Sequence, residues 1–283
     1  MRRFQKADKS PSPSTEKILS KPSSRPAKSS SAAGSLYLRP KLIFFGDPHG
    51  DFEPVIRAVQ RYRPEAIILL GDLQARRPLH VELEPILDLT EVRFIHGNHD
   101  TDLEPYHDHL WHSDLAHRNL HGRVTTVAGY KVAGLGGIFR ESIWDPSLMM
   151  LEAEFLSAEK LRRHMKPDER WREGISLRHR SSIFPDEFMR LARQHADILV
   201  THEGLGGAMH GQPILNTLAR AVGVNLVVHG HLHKDIDYLS EGRIPVDSPF
   251  IAYGVNQGSH MRWPPPRFAS VVGPSFQQPQ ELS

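Results

Sequence analysis

Asp47, His49, Asp72, Asn98, His99, His202, His231 and His233 combine carboxylate, amide and imidazole donors, the groups that hold first-row divalent metals. Asp47-Pro48-His49 and His231-Leu232-His233 each place two donors at i, i+2. In an extended segment both side chains of such a pair lie on one face and can reach one centre. The chain has no cysteine, and imidazole and carboxylate without thiolate suit manganese, iron, zinc or nickel. The oxygens of Asp47, Asp72 and Asn98 and the imidazoles of His49, His202, His231 and His233 are too many for one ion. Two ions sharing a bridging carboxylate use all of them.

Short apolar runs must position these groups. Leu42–Phe45 runs into Gly46-Asp47, Ala66–Leu70 into Gly71-Asp72, Val92–Ile95 into His96-Gly97-Asn98, Asp197–Val200 into Thr201-His202, and Asn225–Val228 into His229-Gly230-His231. Nearly continuous apolar runs of this length read as strands buried on both faces. Phe52–Tyr62, Val81–Leu89, Pro185–His195 and Pro213–Val222 carry helical spacing between them. Alternating strand and helix predicts a layered α/β fold, in which loops beyond the carboxyl ends of the strands converge on one site. Residues 123–135 and 236–255 alternate more strictly and read as antiparallel strands. Residues 139–184 hold 9 basic and 8 acidic residues with Trp144 and Trp171 and no strand-like run, and read as a helical insert or lid.

Gly46-Asp47-Pro48-His49-Gly50, Gly71-Asp72, Gly97-Asn98-His99-Asp100, Thr201-His202 and Gly230-His231-Leu232-His233 resemble, in order and completeness, the motifs of the calcineurin-like metallophosphoesterase superfamily. The resemblance spans about residues 41–255. It implies a four-layer αββα sandwich with mixed sheets and a dinuclear site at the strand ends. It gives Asp47, His49 and His233 to one metal, Asn98, His202 and His231 to another, and Asp72 to the bridge between them. His99 is implied to sit beside the substrate without binding metal, hydrogen-bonded by Asp100. The implied cofactors are two divalent ions, manganese first, with iron, zinc or nickel as alternatives. The implied reaction is hydrolysis of a phosphomonoester or phosphodiester by a water or hydroxide that the two ions activate. Two cations offset the charge of phosphate and ease loss of a proton from water, and His99 can protonate the leaving alkoxide.

Where many members continue the second motif with a further acid, this chain has Ala75, and no proline follows His202. Gly71–Ala75, Gly136–Phe139 and Arg178–Phe184 are also similar to segments of RNA lariat debranching enzymes, in which Cys commonly stands where Asp47 is. Two alternatives to the leading reading follow. One is a nucleic-acid-directed phosphodiesterase in which the basic N-terminal tail or the arginine-rich segment around Arg162–Arg180 contacts phosphates. The other is a non-catalytic binding module on the same fold.

The net charge of +2, from 35 basic and 33 acidic residues, hides an asymmetry. Residues 1–40 hold 9 Lys/Arg and 2 Asp/Glu, and the remainder holds 26 and 31, so a +7 segment precedes a −5 body. Residues 1–36 carry ten serines and four prolines and read as a disordered tail. A domain at 37–262 and a C-terminal tail at 263–283 follow. No apolar run approaches the ~18–20 residues of a membrane helix, and no secretory signal is evident, so the expectation is a cytoplasmic protein with no membrane partner. All 18 histidines lie beyond residue 40. His107, His109, His112, His117 and His121 fall outside the motifs and read as surface or loop residues.

Overall fold

The computed structural model describes residues 39–146 and 153–265. The expected tail at 1–36 lies outside the described residues, as does 266–283. The elements run β1 (Leu42–Phe45), α1 (Glu53–Tyr62), β2 (Ala66–Leu70), α2 (Leu79–Glu82), β3 (Glu91–Ile95), α3 (Glu104–Trp111), β4 (Arg123–Val127), β5 (Tyr130–Leu135), α4 (Ala158–His164), α5 (Pro185–Ala192), β6 (Ile198–Thr201), α6 (Pro213–Val222), β7 (Leu226–His229), β8 (Ile236–Asp237), β9 (Ile251–Gly254) and β10 (His260–Trp263).

The strands form two mixed sheets, ordered β10-β1-β2-β3 and β4-β5-β6-β7-β9-β8. In the first, β1, β2 and β3 are parallel and β10 runs antiparallel to β1. In the second, β5, β6, β7 and β9 are parallel, with β4 and β8 antiparallel at the edges.

The two-residue period of the strands builds the layers. Leu42, Phe44, Ile68 and Leu70 of the first sheet pack between the sheets with Val132, Ile198, Val200, Leu226 and Val228 of the second. The alternate residues Ile43, Phe45, Ile67 and Leu69 pack with Val55 and Val59 of α1. On the far side, Ala133, Leu135, Leu199 and Val227 pack with Leu191 of α5 and Leu215, Leu218 and Val222 of α6. The result is helix, sheet, sheet, helix, the four-layer αββα sandwich. Full burial of each Leu, Ile or Val contributes about 1.5–3 kcal/mol, and β1, β2, β6 and β7 are buried on both faces. Among the described residues no helix is long and apolar enough to cross a membrane.

Differences from the sequence reading have local causes. The helical stretch at 81–89 splits into α2 and a 3-10 turn at Glu84–Ile86, because Pro85 lacks the N–H that would continue α2. α3 forms within the histidine-rich stretch that had no predicted element, with Pro105 in its first turn, where proline costs nothing. The final strand reaches Trp263, one residue past the expected boundary, and pairs with Leu42.

Where they are described, residues 139–184 pack into the core. Ile143, Trp144, Leu161, Ile175, Ile183 and Phe184 are buried in the core behind the larger sheet, and Trp144 meets Phe139 and Phe188 edge-on with centroids 5.2 and 5.4 Å away. Replacing Trp144 with alanine should therefore cost about 3–5 kcal/mol, read as a lower urea midpoint. An unchanged midpoint would show that the segment packs loosely.

Candidate metal centre

The carboxyl ends of β1, β2 and β3 lie at one edge of the first sheet, since Phe45 pairs with Leu69 and Leu69 with Phe94. Those of β6 and β7 align through Thr201 and His229 in the second. β1, β2 and β7 each stop where a tight turn throws polar residues into the space between. Asp47, His49, Asp72, Gln74, His231 and His233 all take positive φ, from 37° to 64°, at a cost of about 1–3 kcal/mol each for non-glycine residues. His49 N donates to Asp72 O at 2.9 Å and Gly50 N to Leu73 O at 2.8 Å, locking the first two loops together. Gly71, at φ 102°, has no alternative, because a Cβ there would collide with His202 Nδ1.

The predicted donors come together in two groups that share Asp72. Ligand atoms of His49, Asp72 and His233 lie within 4.8 Å of one another, as do those of Asp72, His202 and His231. Asp47 joins from beneath: its Oδ2 accepts from His231 N at 2.8 Å and stands 3.8 Å from His233 Nε2. Asn98 Oδ1 is 3.1 Å from His202 Nε2.

Hydrogen bonds settle which imidazole nitrogens face the cluster. His202 Nδ1 donates to Leu70 O at 2.8 Å, so its Nε2 offers a lone pair. That lone pair points at two other acceptors, Asn98 Oδ1 at 3.1 Å and Asp72 Oδ2 at 3.3 Å. His49 Nδ1 donates to Gln74 Oε1 at 2.6 Å, which turns its Nε2 toward His233 Nε2 at 3.2 Å. Asp47 Oδ1 and Asp72 Oδ2 are buried without a hydrogen-bond partner. Acceptors facing acceptors in a buried space demand positive charge, and two divalent ions fit this donor set.

The protein groups alone answer that demand with protons. Burial opposes a charge on His202, but Asp72 and Asp47 outweigh it and hold its pKa up at about 10. Burial pushes Asp47 up to about 7, with His202 countering. Burial also works against ionised Asp72, yet His202 beside it holds that carboxyl well below the usual range. Burial lowers His231 to about 3, leaving a neutral imidazole suited to a metal.

The expected Asp100–His99 hydrogen bond is replaced. Both Asp100 oxygens are taken by backbone, accepting from Gln74 N at 2.7 Å and Gly97 N at 2.8 Å. Asp100 thus ties the second loop to the third from a fully buried position. His99 Nδ1 instead donates to Asp102 Oδ2 at 2.5 Å. The reason is local: His99–Thr101 is a 3-10 turn, in which side chains three apart eclipse. His99 N donates to Asp72 Oδ1 at 2.8 Å. Ala75 lies in the apolar core with Leu73, Leu79 and Leu83, where a carboxylate would be out of place.

Gln74 and Asp102 went unrecognised in the sequence. Each follows a motif residue by two or three positions, and the only signal was a polar side chain in a strand-end loop. Among the histidines outside the motifs, His107 corrects the surface reading. It is 3% exposed and stacked on Trp111 at 4.4 Å. His109 holds the Ala75 carbonyl at 2.7 Å, and His121 accepts from Gly136 N at 3.0 Å, so both brace loops near the centre. His112 and His117 are exposed.

The family profile of the calcineurin-like phosphoesterases matches residues 40–235. An uncharacterized protein of Haemophilus influenzae is 38% identical over 197 residues, covering 70% of this chain and 85% of that one. Among solved structures, a conserved uncharacterized protein from Streptococcus pneumoniae, described as a predicted phosphoesterase, aligns with TM-score 0.34 and 14% identity over 77% of this chain and 72% of that one. A 5'-nucleotidase precursor from Thermus thermophilus aligns with TM-score 0.38 and 14% identity over 77% of this chain and 49% of that one.

Proposed function

The chain belongs to the calcineurin-like phosphoesterase family, and from that premise we propose that it hydrolyses phosphomonoesters or phosphodiesters with two divalent cations, manganese foremost. Asp47, His49, Asp72 and His233 would hold one cation and Asp72, Asn98, His202 and His231 the other. The observation that carries the reading is the pair of buried, unpartnered carboxylate oxygens, Asp47 Oδ1 and Asp72 Oδ2, among lone pairs of four imidazoles. When bound, the cations supply the charge that offsets phosphate and makes a water easier to deprotonate.

The chain's own residues orient and protonate. Leu70 O and Gln74 Oε1 fix His202 and His49 with their Nε2 atoms toward the centre, as partners behind ligating imidazoles do. Asp102 does the same for His99, leaving the far ring nitrogen free. Burial opposes a proton on His99, but the Asp102 hydrogen bond and the charge of Asp72 prevail and raise its pKa. A protonated His99 donates to the departing oxygen, so Asp102 is its positioning residue. Asp100 acts one step further back, by holding the loops.

The test is hydrolysis of p-nitrophenyl phosphate and bis-p-nitrophenyl phosphate by the full chain with added Mn²⁺. Turnover of either supports the reading. Turnover of neither, by protein carrying two manganese ions per chain, overturns it in favour of a binding role.

A further inference from the structure

Two segments have no part in the proposed reaction, Gly136–Arg140 after β5 and Arg178–Phe184 before α5. They are zipped together. Ile138 N donates to Ser181 O and Ile183 N to Ile138 O, both at 2.9 Å. The zipped pair is wedged against the metal-centre loops. Gly137 N donates to His96 O at 2.8 Å, Phe139 N to Glu203 Oε1 at 3.1 Å, and the Ser181 hydroxyl bonds Thr101 Oγ1 at 2.6 Å and lies 3.5 Å from Asn98 O.

Arg140 extends from this wedge with no ion pair among the described residues. Its guanidinium donates to Ser181 O at 3.0 Å, Ser182 Oγ at 3.2 Å and Ser181 Oγ at 3.3 Å, all neutral. Glu203 and Asp102 act on it only from a distance, and burial together with the charge of Arg178 pulls its pKa down to about 10. Arg178 is exposed, and it too forms no ion pair among the described residues. Elsewhere in the stretch Arg162 and Arg163 share Glu159 and Arg172 pairs with Asp108, while Arg170 and Arg180 lie against Met165 O and the Trp171 ring. Ser181 links the two arginines, accepting from Arg140 through its carbonyl at 3.0 Å and donating from its hydroxyl to Arg178 O at 3.3 Å, and the partly buried charge of Arg140, with neutral partners only, is one an anion would offset.

We propose that Arg140 and Arg178 form an anion subsite beside the metal centre that binds a second phosphate of the substrate. The substrate class is then a phosphoester that carries a further phosphate, supplied either by a nucleoside bisphosphate or by a nucleic-acid strand. This rests on the phosphoesterase reading and adds the feature of the substrate that is recognised.

The experiment compares adenosine 5'-monophosphate, adenosine 3',5'-bisphosphate and a short single-stranded oligoribonucleotide as substrates of the Mn²⁺-loaded full chain. Arg178→Gln should lower the preference for the second phosphate, the ratio of kcat/KM values, by about tenfold or more, the effect of losing one charge-assisted hydrogen bond. Arg178→Lys should recover part of it. Arg140→Gln should act in the same direction, but Arg140 also braces Ser181 and Ser182, so the exposed Arg178 is the decisive position. A loss confined to the bisphosphate identifies a small molecule, and a loss on the oligonucleotide that shrinks as salt rises identifies a nucleic acid. A ratio unchanged by Arg178→Gln overturns the subsite, whether both rates fall together, which would put the arginine on the scissile phosphate, or neither does. If the wild type hydrolyses none of the three, the hydrolytic reading fails on its own. The subsite is then read by calorimetric titration with adenosine 3',5'-bisphosphate, where Arg178→Gln should weaken binding by the same factor.

Discussion

Replacing Asp72 with alanine should remove at least one of two manganese ions per chain and about a thousandfold of the rate on p-nitrophenyl phosphate, the several kcal/mol that metal charge supplies to a phosphoryl transition state. Asp72 is the only residue common to both donor groups. Its Oδ2 is buried without a partner 3.3 Å from His202 Nε2, while Oδ1 holds the His99 backbone at 2.8 Å. Losing it removes the shared ligand and loosens the loop that presents His99. Asp72→Asn nearly preserves shape and the Oδ1 hydrogen bond, so it separates loss of charge from loss of fold. Both variants should show the metal deficit by atomic absorption. Two ions and an unchanged rate in either would end the shared-ligand proposal.

His99→Ala should keep both metals and lose about 10²–10⁴ of turnover, the range for one well-placed general acid. The loss should be greatest for alkyl phosphates, whose leaving oxygen needs a proton, and least for p-nitrophenyl phosphate, whose leaving group does not. Asp102→Asn should reproduce that leaving-group pattern at smaller amplitude, because it removes the charged partner of Nδ1 and leaves the ring in place. Metal loss in His99→Ala would instead make His99 a ligand. A uniform drop across leaving groups in Asp102→Asn would reduce Asp102 to a loop brace.

The sequence made the centre of the fold legible because the strand ends carry two signals at once. A run such as Ala66–Leu70 can satisfy its burial only between two layers, and the Gly-Asp that ends it has no place in a core. Gly71, Gly97 and Gly230 were readable as turns, and the donors after them as a cluster. Partnerships set by turn geometry were not readable. The choice of Asp102 over Asp100 depends on a 3-10 turn of three residues, and the Gln74 contact to His49 depends on φ of 41° at Gln74. The packing of the 139–184 stretch was not readable, because its charge balance resembles a surface. Its few apolar residues, Ile143, Trp144, Leu161 and Ile175, are spaced irregularly and reach the core through loops, so no period of 2 or 3.6 betrays them. His107 misled for a related reason, since an imidazole stacked on one tryptophan and edge-on to another is polar in composition and apolar in behaviour.

The pairing of β10 with β1 has a consequence for how the molecule comes into being. Phe45 is held by His260, and the turn that follows it by Gly46 N to Ser259 O and Gly258 N to Gly46 O. Among the described strands, the first to be synthesised therefore waits for the last. At 5–20 residues/s that interval is about 10–40 s, during which a wholly apolar strand presents an unpaired edge. The loop carrying Asp47 and His49 cannot take its final form earlier. The proposed metal centre is thus completed only after β10 is made, and a nascent or C-terminally truncated chain is exposed to edge-to-edge aggregation.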